Sequence, residues 1–92
     1  MTTDLDATLE ERGKRYGDFL GHALITQQIK CVIAQGLEIR GKHLEDDQQE
    51  ALDMIAHKIG RIVNGDPSYA DSWHDIAGYA QLVADRLNGI QR

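Results

Sequence analysis

The sequence predicts an all-α fold, a helical bundle of three main helices plus a short N-terminal helix, formed as a single domain over residues 1–92. Apolar residues recur at i, i+3, i+4 and i+7 through two long stretches, residues 50–64 and 69–87, which is the period of a helix buried along one side. An Asn-Gly-Asp-Pro-Ser turn at 64–68 separates them and makes a helical hairpin. The composition agrees: 41% apolar residues, with one Phe, one Trp and three Tyr, suits a compact helical domain packed with aliphatic side chains.

Residues 4–11 read as a short first helix, with Asp4 and Asp6 early and Leu5 and Leu9 four apart. Gly13 and Gly17 bracket Lys14, Arg15 and Tyr16, and a glycine weakens a helical turn by about 1 kcal/mol relative to alanine, so this stretch is expected as a charged loop. A second helix over 21–35 places Ile25, Ile29, Val32 and Ile33 together, with Cys31 packing beside them and Gly36 as its stop. Residues 37–43 read as a connector. The third helix opens on Glu45, Asp46 and Asp47, acids suited to a helix N-terminus, and ends at Asn64 before Gly65 and Pro67. Its apolar stripe is Leu52, Ile55, Ala56, Ile59, Ile62 and Val63, with Glu50, Asp53, His57, Arg61 and Asn64 opposite. Ser68 and Asp71 have capping-box spacing for a fourth helix from Tyr69 to about Asn88. Its core stripe is Trp73, Ile76, Ala77, Ala80, Val83, Ala84 and Leu87.

The net charge of −5 disfavours a nucleic-acid polymer, and no DNA-reading motif or aromatic platform accompanies the basic residues. No window is long and apolar enough for a membrane span. The acidic N-terminus lacks the order of a secretory signal, and one cysteine excludes an internal disulfide, so a cytoplasmic protein is expected. A chain of this length leaves much of its surface exposed, which makes a homo-oligomer the expected state.

Two residue sets carry candidate chemistry. Glu50 and Asp53 lie one turn apart on the third helix, and Asp71 and Asp75 one turn apart on the fourth. Brought together across the hairpin they are the hard oxygen donors that Mg²⁺ takes. On physical grounds alone a solvated face, with Asp71 as a cap, is favoured, unless a second chain covers it. The other set is cationic: Lys58 and Arg61 on the third helix with Arg12 and Lys14 near the first, groups that hold phosphates. Surface charge, with Asp53 paired to His57 or Lys58, is the plain alternative. Tyr16 is the aromatic best placed to stack on a base, because Trp73 belongs to the core stripe.

The motifs ERGKRYGDF (11–19) and HKIGRIVNGDPSYADSWHDIAGYAQLV (57–83) resemble a family of small phage and prophage proteins described only as a domain of unknown function. The hairpin with acids on both arms is distantly similar to MazG-like nucleotide pyrophosphohydrolases. That resemblance implies an all-α oligomer that cleaves nucleoside triphosphates with Mg²⁺ in the host cytoplasm. It assigns Glu50, Asp53, Asp71 and Asp75 to the metal, and Asp53 and Asp75 to catalysis. Tyr16, Lys58, Arg61, Arg12 and Lys14 would then bind the nucleotide. Glu50-x-x-Asp53 matches the Glu-Glu-x-x-Glu element of those enzymes loosely, and Ser72 stands three residues before Asp75 where they carry Glu. Two alternatives accommodate that departure: a phage protein that sequesters a nucleotide signal without cleaving it, and a structural or regulatory oligomer.

Overall fold

The computed structural model describes residues 3–92; Met1 and Thr2, which begin the acidic N-terminal stretch, lie outside the described residues. It contains four helices, α1 (Asp4–Tyr16), α2 (Phe19–Arg40), α3 (Asp46–Asn64) and α4 (Ala70–Leu87), and no strand among the described residues. No helix among them is long and apolar enough to cross a membrane.

Both early helices run further than expected. α1 opens on a capping box, in which the Thr3 hydroxyl accepts from the Asp6 N–H at 3.0 Å and the Asp6 carboxylate accepts from the Thr3 N–H. It then continues through Gly13, with acids in its first turn, Lys14 and Arg15 in its last, and a Glu11–Arg15 ion pair at 2.7 Å. Tyr16 is therefore the last helical residue and not part of a loop; the turn comes at Gly17, where φ is 76°. α2 starts at an Asp18 cap and passes through Gly36 to Arg40, so the expected connector at 37–43 is mostly helix. Leu37 extends the inward stripe of Ile29 and Ile33, and this outweighs the single-glycine cost of about 1 kcal/mol. The real stop is Gly41, in the left-handed region at φ 61°, with its N–H donating to Glu38 O at 3.1 Å and the Lys42 N–H donating to Leu37 O at 2.9 Å.

α3 begins and ends where its acids and Gly65 predict. The Ser68/Asp71 capping box does not form. The Ser68 N–H donates to Asp66, Tyr69 is the cap residue, and its hydroxyl donates to Asp71 at 2.8 Å.

α2 and α4 both pack on α3 and not on each other, so α3 is the middle of an open layer; α1 lies across α2 and α3. The molecule measures 51 × 31 × 23 Å with a radius of gyration of 15.6 Å, against about 12 Å for a compact chain of this length. With a neighbour on each side, α3 buries its flanks. Gly60 meets α2, where an added Cβ would run into Thr26 Oγ1 and the His22 ring, which accounts for this glycine by close helix approach. On the other flank the buried Lys58 pairs with Asp75 of α4 at 3.0 Å. Arg86 of α4 clamps Asp47 and Glu45 at the start of α3, and this holds the Asp47 carboxyl below its usual range.

Burial corrects the expected core. The buried apolar residues are Ala51 and Ala56, whereas His22, Thr26, Lys58, Ser72 and Asp85 are buried polar ones. Trp73, assigned to the core by periodicity, is 56% exposed and its indole N–H donates to Pro67 O at 2.8 Å. Val63, Ala77, Ala80, Ala84 and Leu87 are likewise exposed, as is Cys31, while Asp53, His57, Arg61 and Asn64 are half-buried. The stripes are real, but one chain covers them only in part: Ala56 is buried, while Leu52, Ile55, Ile59, Ile62, Ile76 and Val83 are half-buried.

Candidate anion-binding cavity

The end of α1, the start of α2 and the last turns of α3 are tied together around Asn64. Its side-chain amide donates to Tyr16 O and to Asp18 O, both at 2.8 Å, and the Asp66 N–H donates to Arg15 O at 2.6 Å. Gly65 permits this approach, since a Cβ there would collide with Arg15 O and the Tyr16 backbone. The polar Asn-Gly turn therefore does more than join two helices. It fixes the Tyr16–Asp18 corner against α3.

That corner opens into a cavity of about 270 Å³ lined by Leu9, Arg12, Tyr16, Gly17, Phe19, His22, His57 and Arg61. The chain has 15 Asp and Glu, yet none of them lines this cavity. Two arginines and two histidines line it instead. The Arg61 guanidinium lies 4.1 Å from the centroid of the Tyr16 ring, a cation–π stack. Tyr16 in turn meets Tyr69 edge-on at 6.0 Å, and Arg15 lies 4.6 Å from the Tyr69 centroid while its Nη1 donates to the Tyr69 hydroxyl at 2.9 Å.

The histidines are set by their surroundings. His22 Nε2 lies 2.9 Å from the His57 carbonyl, an obligate acceptor, so that nitrogen carries the hydrogen; the Thr26 hydroxyl is 3.2 Å from the same atom. The His22 and His57 rings make a T-shaped contact at 4.4 Å. Burial, followed by electrostatic repulsion from Arg61, His22, Lys58 and Lys30, pushes the His57 pKa down to about 4. At neutral pH His57 is therefore an uncharged imidazole in a positive site, and an incoming anion would favour its protonation.

Phe19, 79% exposed, lies beside the His22 ring at 6.1 Å between centroids, and Leu9 is also exposed. The lining thus mixes cationic groups of the kind that hold phosphate oxygens with apolar and aromatic groups of the kind that pack on a planar base.

Of the residues the sequence nominates for substrate, Arg12, Tyr16 and Arg61 come together here. Lys14 is exposed in the last turn of α1 and does not line the cavity, and Lys58 is engaged with Asp75. The nominated acids have separate partners. Glu50 is exposed and lines a groove between α3 and α4 with Asp47, Tyr79 and Arg86. Asp53 accepts from Gln49 at 3.2 Å, not from His57 or Lys58, and Asp71 accepts from Tyr69. Among the described residues no group of three or more His, Cys, Asp or Glu is gathered to hold a metal ion. The four acids of one chain therefore do not fit Mg²⁺ as they stand. Sequence reasoning missed His22 and Phe19; Gly60 was the available signal for His22, because a mid-helix glycine marks what the neighbouring helix presses against it.

The fold and cavity define an all-α domain with an arginine- and histidine-lined cavity at a three-helix corner. Residues 2–87 match the family described as Domain of unknown function (DUF6378), and the chain belongs to that family. No curated protein and no solved structure matches it.

Proposed function

We propose that the protein binds a nucleotide, with phosphates against Arg12, Arg61 and His57 and the base against Phe19 and Tyr16. The observation that carries this reading is the acid-free, doubly cationic lining of one cavity in a chain of net charge −5. Two arginines and a protonatable imidazole supply charge-assisted donors for a phosphate, and the adjacent aromatic wall favours a nucleotide over inorganic phosphate. We also take the protein to act as a homo-oligomer, since large apolar side chains stand exposed on all four helices.

A second reading is MazG-like, Mg²⁺-dependent cleavage of a nucleoside triphosphate. It is favoured by the Lys58–Asp75 pair, which places one nominated acid beside one nominated phosphate-binding lysine across the hairpin. Equilibrium dialysis of the full chain against nucleoside mono-, di- and triphosphates and cyclic nucleotides, in EDTA and in Mg²⁺, tests both readings. Binding in EDTA with the nucleotide recovered intact supports the binding protein. Pyrophosphate release confined to the Mg²⁺ arm supports the hydrolase, and no retention of any nucleotide in either arm rejects both.

A further inference from the structure

We propose that one broad face of the α2–α3–α4 layer is a two-fold interface covered by the same face of a second copy. This deepens the homo-oligomer reading and is independent of the nucleotide reading.

The face follows from helix phase. On α3, Gly60 meets α2 and Lys58 reaches α4; the buried Ala56 and Ala51 lie one and two turns earlier on the same respective phases. At about 100° per residue, Ile55, Ile59 and Ile62 lie between these flanks on one side, and His57 and Arg61 lie on the other. α2 and α4 join α3 through short connections and run antiparallel to it. Their contact sides, marked by His22 and Thr26 on α2 and by Ser72 and Asp75 on α4, then place Ile25 and Val32 of α2, and Trp73 and Leu87 of α4, beside the isoleucines of α3. The result is a continuous three-helix apolar face with no charged side chain in its phase. The cavity lies on the other side of the layer.

The area argues for a second copy as the occupant. The chain exposes 6853 Å², whereas a monomer of 10.3 kDa is expected to expose about 5,350 Å². The difference, roughly 1,500 Å², is what one subunit of an obligate homodimer contributes to its interface. Among the described residues no large side chain is fully buried in the single chain, so the core that a domain of this size needs is completed only across the face. Charge agrees, because an uncharged face is where two chains of net charge −5 meet without like-charge repulsion. Two-fold pairing leaves both cavities open on the outer sides of the dimer.

Sedimentation equilibrium of the full chain, with Val32→Glu and Leu82→Glu variants, tests the proposal; Val32 is on the face, and Leu82 is exposed on the cavity side of α4. The expected result is a wild-type dimer, a Val32→Glu dissociation constant raised by about 100-fold or more, and a Leu82→Glu dimer unchanged. Should Val32→Glu fail to fold, Trp73 fluorescence of the wild type is the second readout: its emission shifts to the red on dilution if the face is an interface. A monomeric wild type at high concentration overturns both the proposal and the homo-oligomer reading. An oligomer broken by Leu82→Glu but not by Val32→Glu, or a Trp73 emission indifferent to dissociation, overturns this face alone.

Discussion

The Arg61 guanidinium stacks on the Tyr16 ring at 4.1 Å from its centroid, joining the last turn of α3 to the last residue of α1. One contact thereby positions a cation and an aromatic on the same wall of the cavity. Arg61→Ala removes the cation and frees the ring, and is expected to weaken nucleotide binding by about 10- to 100-fold, while Arg61→Lys restores part of it. Calorimetric titration of the two variants side by side checks this.

His57 supplies a pH prediction. Its pKa falls from 6.5 in the unfolded chain to about 4 in the folded one, because burial and its cationic neighbours disfavour the charge. Between those values the unfolded chain takes up a proton that the folded chain refuses, so this group lowers folding stability as pH falls through that window and leaves it level above. In the free protein the His57 ring resonances should titrate near pH 4 by NMR. Saturating nucleotide should move that midpoint upward, because a bound phosphate offsets the positive neighbours.

The Lys58–Asp75 pair is lopsided, since the lysine side chain is 11% exposed and the aspartate 43%. Asp75→Asn strands a buried ammonium and is expected to cost about 2–4 kcal/mol in urea unfolding. Lys58→Met leaves a carboxylate that water can reach and should cost less. Equal losses from the two substitutions would show that the burial asymmetry does not govern this seam.

Glycines separate by their surroundings. Gly60→Ala forces a methyl into Thr26 and the His22 ring and is expected to lower stability by about 1–3 kcal/mol. Gly78 has nothing within 4 Å of an added Cβ, so Gly78→Ala should be neutral or stabilising by up to about 1 kcal/mol. Thermal unfolding of the two variants measures both effects.

The helices were legible in the sequence because a 3.6-residue period survives whatever covers the apolar side. What covers it was not legible: Trp73 and Leu87 have the spacing of core residues, yet stand open because α4 meets only α3. α1 and α2 run on through Gly13 and Gly36, because one glycine is too weak a stop signal against good capping and a continuing stripe. At the site, Arg12, Tyr16 and Arg61 were nominated by residue type. Periodicity alone says nothing of distances between helices, so it could not tell that His22 joins them or that Lys58 is spent on Asp75.

The most direct test of the central claim is nucleotide titration into the full chain in EDTA, with wild type beside an Arg12→Ala/Arg61→Ala double variant of unchanged helical circular dichroism. Saturable wild-type binding that the double variant loses by about 100-fold or more is the predicted result. Equal affinity of the two proteins, or no wild-type binding, contradicts it.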